Sequence, residues 1–219
     1  FNAMVDEMFE YGRFILKEKR KNPANDLLSA IANAEINGEK LSDEFLDGSW
    51  LLIIFAGNDT TRNTMSGGIK LLHENQKQKE MLIDNLELLP NFINETVRCV
   101  SPVIHMRRTS LEETEINGQK IGPYEKIALW YGAANRDPSV FEDPNKFNIL
   151  RDNADKHLAF GIGRHTCIGK PIALMQLQEF YSQFLVRFQD FEMNGDWKVA
   201  PNNFVHAIQE MPIKYSPEN

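Results

Sequence analysis

The chain has 219 residues, of which 42% are hydrophobic and 25% are charged, proportions typical of a folded globular protein. This composition argues against a disordered chain, a collagen-like repeat and a bundle of membrane helices. Acidic side chains outnumber basic ones by 31 to 24, and the resulting net charge of −7 argues against a nucleic-acid partner.

The cysteines and the apolar runs indicate the compartment. Cys99 and Cys167 are far apart and follow no disulfide or zinc spacing, which is typical of a reducing compartment, and we expect a cytoplasmic protein. The most apolar run, residues 50–57, is much shorter than the roughly 20 residues that span a bilayer, so no membrane segment is predicted in this chain. The sequence begins with Phe1 in what reads as the middle of a helix, and we expect further residues to precede it.

The first hundred residues predict five helices separated by proline, asparagine and glycine. These helices cover approximately residues 1–20, 26–36, 43–75, 81–86 and 90–101. The third is the longest, and Ser42 followed by an acidic first turn marks its beginning. Gly57 lies inside this helix and weakens it by up to about 1 kcal/mol relative to alanine, so its presence there needs an explanation.

A small β-region follows the helices. Short extended runs are predicted at residues 104–109, 114–116, 119–121 and 126–131, with a hairpin turn at Asn117-Gly118. Residues 132–166 form a long irregular stretch, and so long a loop usually serves a function. A final helix is predicted over about 168–188, and the tail from residue 190 predicts one more hairpin. We expect the following side chains to form the buried side of that helix: Ile172, Met175, Leu177, Phe180, Phe184 and Leu185.

The segment from Phe160 to Gly169 reads FGIGRHTCIG, a glycine-rich loop that brings one cysteine to the beginning of a helix. The positive end of a helix dipole stabilises a thiolate, and glycine lets a flat ligand approach the backbone closely. A lone cysteine at such a position is more often structural. A zinc site made of His157, His165 and Cys167 would lack a fourth ligand and would leave the glycines unexplained.

Two further segments carry chemistry. Residues 56–61 read AGNDTT inside the long helix, where a threonine hydroxyl can bond a carbonyl of its own helix and distort it. Together with Gly57, such a distortion would open a groove for dioxygen and water. Residues 95–98 read ETVR, an acid and a base three positions apart that meet on one helix face.

These segments resemble the cytochrome P450 superfamily, whose haem-binding loop reads Phe-x-x-Gly-x-x-x-Cys-x-Gly. The resemblance implies that Cys167 is the thiolate ligand of the haem iron. It assigns haem contacts, including bonds to the propionates, to a further set of residues: Phe160, Gly163, His165, Gly169 and Arg108. Arg107 competes with its neighbour for the propionate.

The resemblance also implies roles away from the ligand loop. Asp59 and Thr60 would relay protons to bound oxygen. A second group would be structural and would fix the segment that carries the cysteine loop: Glu95, Arg98 and Arg151. An apolar substrate pocket would exclude bulk water, and its lining is predicted to be Leu52, Phe55, Ala56, Val103, Ile104, Phe204 and Val205.

The expected fold is therefore mainly α with a small β-region. Complete members of the superfamily carry a further N-terminal half, so residues 1–219 would be the C-terminal, haem-binding part of a cytochrome P450 domain. The implied activity is hydroxylation of an unactivated C–H bond, with haem b, O₂ and electrons that come ultimately from NAD(P)H through a ferredoxin or similar electron-transfer protein.

The substrate would be a small apolar molecule. Residues 56–68, 105–109 and 130–137 look most like bacterial enzymes that hydroxylate the ends of alkanes and fatty acids, and branches that oxidise terpenes and sterol side chains share several of these pieces.

Two alternatives to this activity remain. One is a peroxide-driven hydroxylase on the same scaffold, although such an enzyme would not need the proton relay at Asp59 and Thr60. The other is a non-catalytic fragment or haem-binding module.

Three basic side chains lie around the cysteine loop: Lys156, Arg164 and Lys170. They are either scattered surface charges or a docking face for an acidic ferredoxin, and the sequence does not decide between these readings.

Overall fold

Seven α-helices and ten short β-strands form the computed structural model over residues 2–216, the part of the chain that the structure describes. The helices are α1 (Asn2–Lys21), α2 (Leu27–Ala32), α3 (Asp43–Glu74), α4 (Gln76–Asp84), α5 (Leu89–Val100), α6 (Tyr131–Ala134) and α7 (Lys170–Arg187). The strands are β1 (Glu35–Ile36), β2 (Glu39–Lys40), β3 (His105–Thr109), β4 (Thr114–Ile116), β5 (Gln119–Ile121), β6 (Lys126–Trp130), β7 (Glu192–Met193), β8 (Lys198–Val199), β9 (Ile208–Glu210) and β10 (Ile213–Lys214). This architecture confirms the mainly helical prediction.

The chain divides into two compact units, one up to Asn58 and the other from Asp59 onward. Phe1, at which the first predicted helix begins, and residues 217–219 lie outside the described residues. No helix within residues 2–216 combines the length and the apolarity needed to cross a membrane.

The first unit has a small core around one tryptophan. Trp50 on α3 packs with Leu16 and Leu46, and its indole N–H donates a hydrogen bond to the carbonyl of Met8 on α1 (3.0 Å). The ring lies so close to α1 that a Cβ placed on Gly12 would come within 2.5 Å of it. Glycine at this position therefore permits the contact between the two helices.

The second predicted helix is shorter than expected. It ends at Ala32, and the residues that follow form the β1–β2 hairpin rather than another helical turn. Asn37 and Gly38 occupy its turn with φ values of 54° and 81°, a conformation that the Asn-Gly pair adopts readily. Asp26 caps α2, because its carboxylate accepts the Ser29 N–H (2.8 Å).

The second unit is built around α5, α7 and the C-terminal part of α3. Leu72, Phe92, Leu177, Tyr181 and Leu185 are fully or almost fully buried in this core. The apolar residues of α7 at positions 177, 181 and 185 recur every fourth position and form one stripe on the helix. This stripe joins the helix that follows the cysteine loop to the long helix α3.

The burial of α7 differs from the prediction at three positions. Ile172 and Met175 are 55% and 65% exposed, whereas Tyr181, which was not predicted, is completely buried. The helix also begins at Lys170 rather than at residue 168. α7 is apolar on more than one face, and a helical period alone does not identify the face that packs against the core.

The remaining boundaries shift by a few residues. α4 begins at Gln76 instead of residue 81, and a short 3₁₀ turn at Leu86–Leu88 leads into α5. The last residue of the predicted strand 126–131 instead begins the short helix α6.

All strands described pair as two-stranded antiparallel ladders. β3 pairs with β6, and the hairpin β4–β5 turns at Asn117-Gly118 as predicted. The tail forms two ladders, β7–β10 and β8–β9, rather than one hairpin.

Candidate functional site

The cysteine loop is closed by backbone hydrogen bonds that depend on its glycines. The N–H of Cys167 donates to the carbonyl of Phe160 (2.8 Å). Gly161 and Gly163 have φ values of +69° and +68°, in the left-handed region that favours glycine. A Cβ on Gly161 would also lie only 2.9 Å from the carbonyl oxygen of His165. The glycines of the motif are therefore required for the path of the backbone.

The thiol of Cys167 lies on the surface of the unit, just before α7 begins. Two apolar side chains of the same loop are also exposed, Ile162 at 75% and Ile168 at 76%. Gly169 precedes the helix, and a Cβ there would lie 3.8 Å from the cysteine sulfur. The loop thus presents an exposed thiol together with exposed apolar side chains. His165 is exposed in the same loop.

A zinc site at this loop is not supported. Within residues 2–216, no three His, Cys, Asp or Glu side chains lie close enough to share a metal ion. A single cysteine can still provide the one protein ligand that a haem iron requires in the superfamily that the loop resembles.

Arg108 lies on β3, which the structure brings close to the cysteine loop. Side chains alternate along a strand, and Arg107 is exposed whereas Arg108 is partly buried on the opposite face. The partner strand β6 leads directly into Tyr131, whose hydroxyl oxygen lies 3.7 Å from the position of a Cβ on Gly161. The ladder that carries the predicted propionate ligand is therefore adjacent to the loop.

The three residues predicted to be structural meet in one buried network. The Glu95 carboxylate accepts hydrogen bonds from Nε of Arg98 (2.7 Å), from Nε of Arg151 (3.1 Å) and from the N–H of Asn148 (2.9 Å). Glu95 and Arg98 are completely buried. Burial is the largest single influence on the pKa of Arg98 and lowers it, but the hydrogen bond to Glu95 and the electrostatic effects of Cys99 and Glu95 together outweigh burial, so the pKa is raised.

The two guanidinium groups extend the network to the backbone of the long connection. Arg98 donates to the carbonyls of Asn135 (2.7 Å), Pro144 (2.8 Å) and Lys146 (3.1 Å). Arg151 donates to the carbonyl of Glu142 (2.6 Å). The arginines thus provide hydrogen-bond donors for carbonyls of an irregular segment that has no helix or strand to pair them.

Sequence reasoning did not predict the structural roles of Asn135 and His157, and it named His157 only as a member of the disfavoured zinc site. Asn135 is completely buried; its side-chain oxygen accepts the N–H of Leu158 (2.6 Å) and its amide donates to the hydroxyl of Ser101 (2.9 Å). It thereby ties the end of α5 to the segment that leads into the cysteine loop. Residues 130–137 resemble a segment of bacterial P450 enzymes, but no spacing rule singles out Asn135 within them.

His157 lies under the first residue of the loop. It is 7% exposed, its ring centroid is 5.6 Å from that of Phe160, and its Nδ1 accepts the N–H of Ala159 (3.3 Å). Burial lowers the pKa of His157 to about 4, and the positive charge of Lys170 contributes in the same direction. The imidazole is therefore neutral at pH 7.

The predicted proton-relay residues lie on α3, which continues without a break through Gly57 and Thr60. Asp59 forms an ion pair with Arg62, with 2.6 Å between Oδ1 and Nη2, and the guanidinium is 63% exposed. The carbonyl of Thr60 accepts a hydrogen bond from the Thr64 hydroxyl (2.8 Å). Sequence reasoning missed Arg62, although a base three positions after an acid on a helix is a recognisable signal.

The predicted pocket residues are divided between the two units. Leu52, Phe55 and Ala56 are exposed on α3 in the first unit. In the second unit, four predicted pocket residues come together: Val103 pairs with Val205, and the N–H of Ile104 donates to the carbonyl of Phe204 (2.8 Å). Val205 is buried and the other three are partly buried.

Comparisons with known proteins agree on one family. Residues 1–216 match the family model described as Cytochrome P450. Linalool 8-monooxygenase of Pseudomonas putida is 35% identical over 98% of this chain and 53% of its own length. Steroid C26-monooxygenase of Mycolicibacterium smegmatis is 37% identical over 95% of this chain and 52% of its own length.

A solved structure gives the same result. Cytochrome P450-153 from Novosphingobium aromaticivorans matches with a TM-score of 0.86 and 35% identity, over 97% of this chain and 53% of that chain. The chain thus spans about half the length of the curated relatives given above.

Proposed function

The chain belongs to the cytochrome P450 family, and on that premise we propose that it is the haem-binding part of a monooxygenase that hydroxylates an apolar substrate. The observation that carries this proposal is the exposed Cys167 thiol, held by a glycine loop in front of α7. Haem b held by a thiolate supplies the chemistry that activates O₂ and places one of its oxygen atoms in a C–H bond.

The residues around the thiol fit a haem. Cys167 offers one anionic sulfur ligand, and exposed Ile162 and Ile168 offer apolar contact to a flat macrocycle. Haem also carries two carboxylates, and Arg108 and His165 would bind them through charge-assisted hydrogen bonds.

Asp59 and Thr60 would hold and pass the protons that O₂ activation consumes. In the structure the Asp59 carboxylate is paired with Arg62, whose side chain is mostly exposed. Exposed ion pairs contribute about 1 kcal/mol or less, so Asp59 can leave this partner at a small energetic cost. This release would let the carboxylate accept a proton from water and pass it toward the Thr60 hydroxyl.

An apolar molecule is the substrate class that the second-unit pocket residues favour. Val103, Ile104 and Phe204 lie side by side and present hydrocarbon surface, which accepts a hydrocarbon and excludes water. Two relatives are named for linalool and for a steroid, and both names support this class. We infer an alkane, fatty-acid, terpene or sterol side chain as the group oxidised.

Electrons would come from NAD(P)H through a ferredoxin-type protein. Lys156 and Arg164 are exposed, and the ammonium group of Lys170 lies 5.5 Å from the centre of the Phe160 ring in the cysteine loop. A cluster of cations beside the ligand loop would steer an acidic electron carrier toward it.

Oxygen-isotope labelling tests the proposed activity. The full-length, haem-loaded protein is supplied with ¹⁸O₂, NAD(P)H, a ferredoxin system and one substrate of each class. We expect one labelled oxygen atom in the hydroxylated product and none from labelled water. Cys167→Ala should abolish product formation, whereas the matched variant Cys99→Ala should retain it.

Cys99 suits the control because it is partly buried, and burial raises the pKa of its thiol to about 11. Product formed with hydrogen peroxide but not with ferredoxin and O₂ would favour the peroxide-driven alternative. Haem binding without any oxidised product would favour a non-catalytic module.

A further inference from the structure

Tyr181 connects the two helices that carry the site. It lies in the middle of α7, is completely buried, and its ring packs edge-on against Phe92 with 4.7 Å between centroids. Its hydroxyl oxygen lies 3.1 Å from the carbonyl oxygen of Thr64 and 2.9 Å from that of Met65, both on α3. Burial raises the pKa of Tyr181, so the phenol remains protonated and donates to this pair of carbonyls.

The opposite helix provides the space for this phenol. A Cβ on Gly68 would lie 2.0 Å from the Tyr181 oxygen and 2.9 Å from the Thr96 methyl carbon. No other residue at position 68 can coexist with the tyrosine in this position. Glycine is unfavourable in the middle of a helix, and the close approach of the phenol explains its presence in α3.

The contact continues to the predicted proton relay. Thr64 accepts from Tyr181 through its carbonyl, and its own hydroxyl donates to the carbonyl of Thr60 one turn earlier (2.8 Å). Thr64 is 3% exposed, so water does not compete for these bonds. α7 begins immediately after the cysteine loop, and α3 and α7 are both continuous helices. A bond between them therefore fixes the spacing between Cys167 and the Thr60 turn.

We propose that Tyr181 is a positioning residue that sets the register of α3 against α7, and thereby holds Thr60 where its hydroxyl would pass the protons that O₂ activation consumes. This inference rests on the proposed monooxygenase function. Without the phenolic hydroxyl, α3 loses its anchor at residues 64 and 65, and the Thr60 turn can shift along α7. The protons would then no longer reach O₂ in step with the electrons. O₂ would take up the two electrons of NAD(P)H and two protons and be released as hydrogen peroxide, so no product would form.

The test uses Tyr181→Phe in the full-length, haem-loaded protein. Phenylalanine keeps the ring contacts and removes only the hydroxyl. Tyr215→Phe is the matched control, because that tyrosine is 47% exposed and its ring packs against Phe188 near the end of the chain. Hydrogen peroxide formed per NAD(P)H oxidised is measured with saturating substrate, together with KM.

A second readout does not depend on turnover. Amide hydrogen exchange of the peptide covering residues 64–69 reports the anchoring of α3, and the peptide covering 89–97 of α5 reports general loosening. Loss of one hydrogen bond of ordinary strength predicts about fivefold faster exchange in the first peptide. We expect no change in the second peptide, more peroxide per NAD(P)H than in the wild type, and an unchanged KM. Tyr215→Phe should match the wild type in every readout.

The outcomes separate this inference from the function on which it rests. A wild-type protein that binds no haem or oxidises nothing contradicts the proposed function, while the exchange measurement still reports on the anchor. Unchanged exchange at residues 64–69 overturns the positioning role whether or not the protein turns over. Faster exchange with an unchanged peroxide fraction shows a purely structural contact and overturns it as well.

Discussion

Protonation of His157 should make the fold sensitive to acid. The imidazole is 7% exposed and lies between the Phe160 ring and the backbone of the segment that leads into the cysteine loop. Burial lowers its pKa from 6.5 to about 4, Lys170 and Arg98 add to this effect, and Asp155 opposes it. The folded protein therefore binds a proton at His157 less readily than the unfolded chain does.

The sign and size of the effect follow from this difference in pKa. Between pH 6.5 and about 4 the unfolded chain holds the proton and the folded protein does not, so acid favours unfolding. The stabilising contribution of a neutral His157 is complete above pH 6.5 and falls as the pH decreases. Each pKa unit corresponds to about 1.4 kcal/mol, so the loss approaches about 3 kcal/mol near pH 4.

Urea unfolding at a series of pH values measures this contribution. His157→Asn keeps a side-chain oxygen that can accept the Ala159 N–H and removes the titrating group. We expect the wild type to lose roughly 2–3 kcal/mol more stability than His157→Asn between pH 7.5 and 4.5. His165→Asn, at an exposed position of the cysteine loop, should follow the wild type. Equal losses in the wild type and in His157→Asn would refute the reasoning.

Three further substitutions test the network, the loop and the relay. Glu95→Ala leaves two buried guanidinium groups without their counter-charge and should lower the free energy of unfolding by about 3–5 kcal/mol in urea titrations. The exposed control, Glu112→Ala, should change it by less than about 0.5 kcal/mol. Gly161→Ala puts a Cβ on a residue with positive φ, close to a carbonyl of its own loop, so it should lower the free energy of unfolding by about 1–3 kcal/mol and weaken haem binding in titrations. Gly132→Ala, where a Cβ would meet no neighbour, should change neither. Thr60→Ala should slow product formation by about 10²-fold while NAD(P)H oxidation continues, and equal losses of both rates would contradict the relay.

Local patterns predicted those elements of the fold that depend on local chemistry. Ser42 and the acidic first turn predict a helix from Asp43, and the helix begins there. Asn117-Gly118 predicts a hairpin because both residues adopt positive φ readily, and both do so here. The glycines of the cysteine loop are predicted to let a flat ligand approach the backbone, and in the structure Gly161 and Gly163 also take the positive φ values that the loop needs.

Other features depend on contacts between distant segments and have no local signal. The Asn37-Gly38 pair marks the end of a helix as readily as the turn of a hairpin, and only the pairing of β1 with β2 decides between them. Ile172 is an apolar residue of α7 like the buried positions 177, 181 and 185, but it lies on a face that the core does not cover.

Two of the side chains that sequence reasoning missed, Tyr181 and Asn135, share one physical property. Each bonds to backbone atoms of a distant segment, and backbone atoms look alike in every sequence. Tyr181 donates to carbonyls of α3, and Asn135 accepts the N–H of Leu158. The apolar period of α7 also favours burial at position 181, but it does not indicate that a phenol would reach another helix there.

The central claim, that Cys167 ligates a haem iron, is tested most directly by the absorption spectrum of the full-length, haem-loaded protein after reduction and addition of carbon monoxide. Thiolate ligation predicts a strongly red-shifted Soret band in the wild type and in Cys99→Ala, and its loss in Cys167→Ala. A histidine-like band in the wild type, or a red-shifted band that survives in Cys167→Ala, would contradict the account.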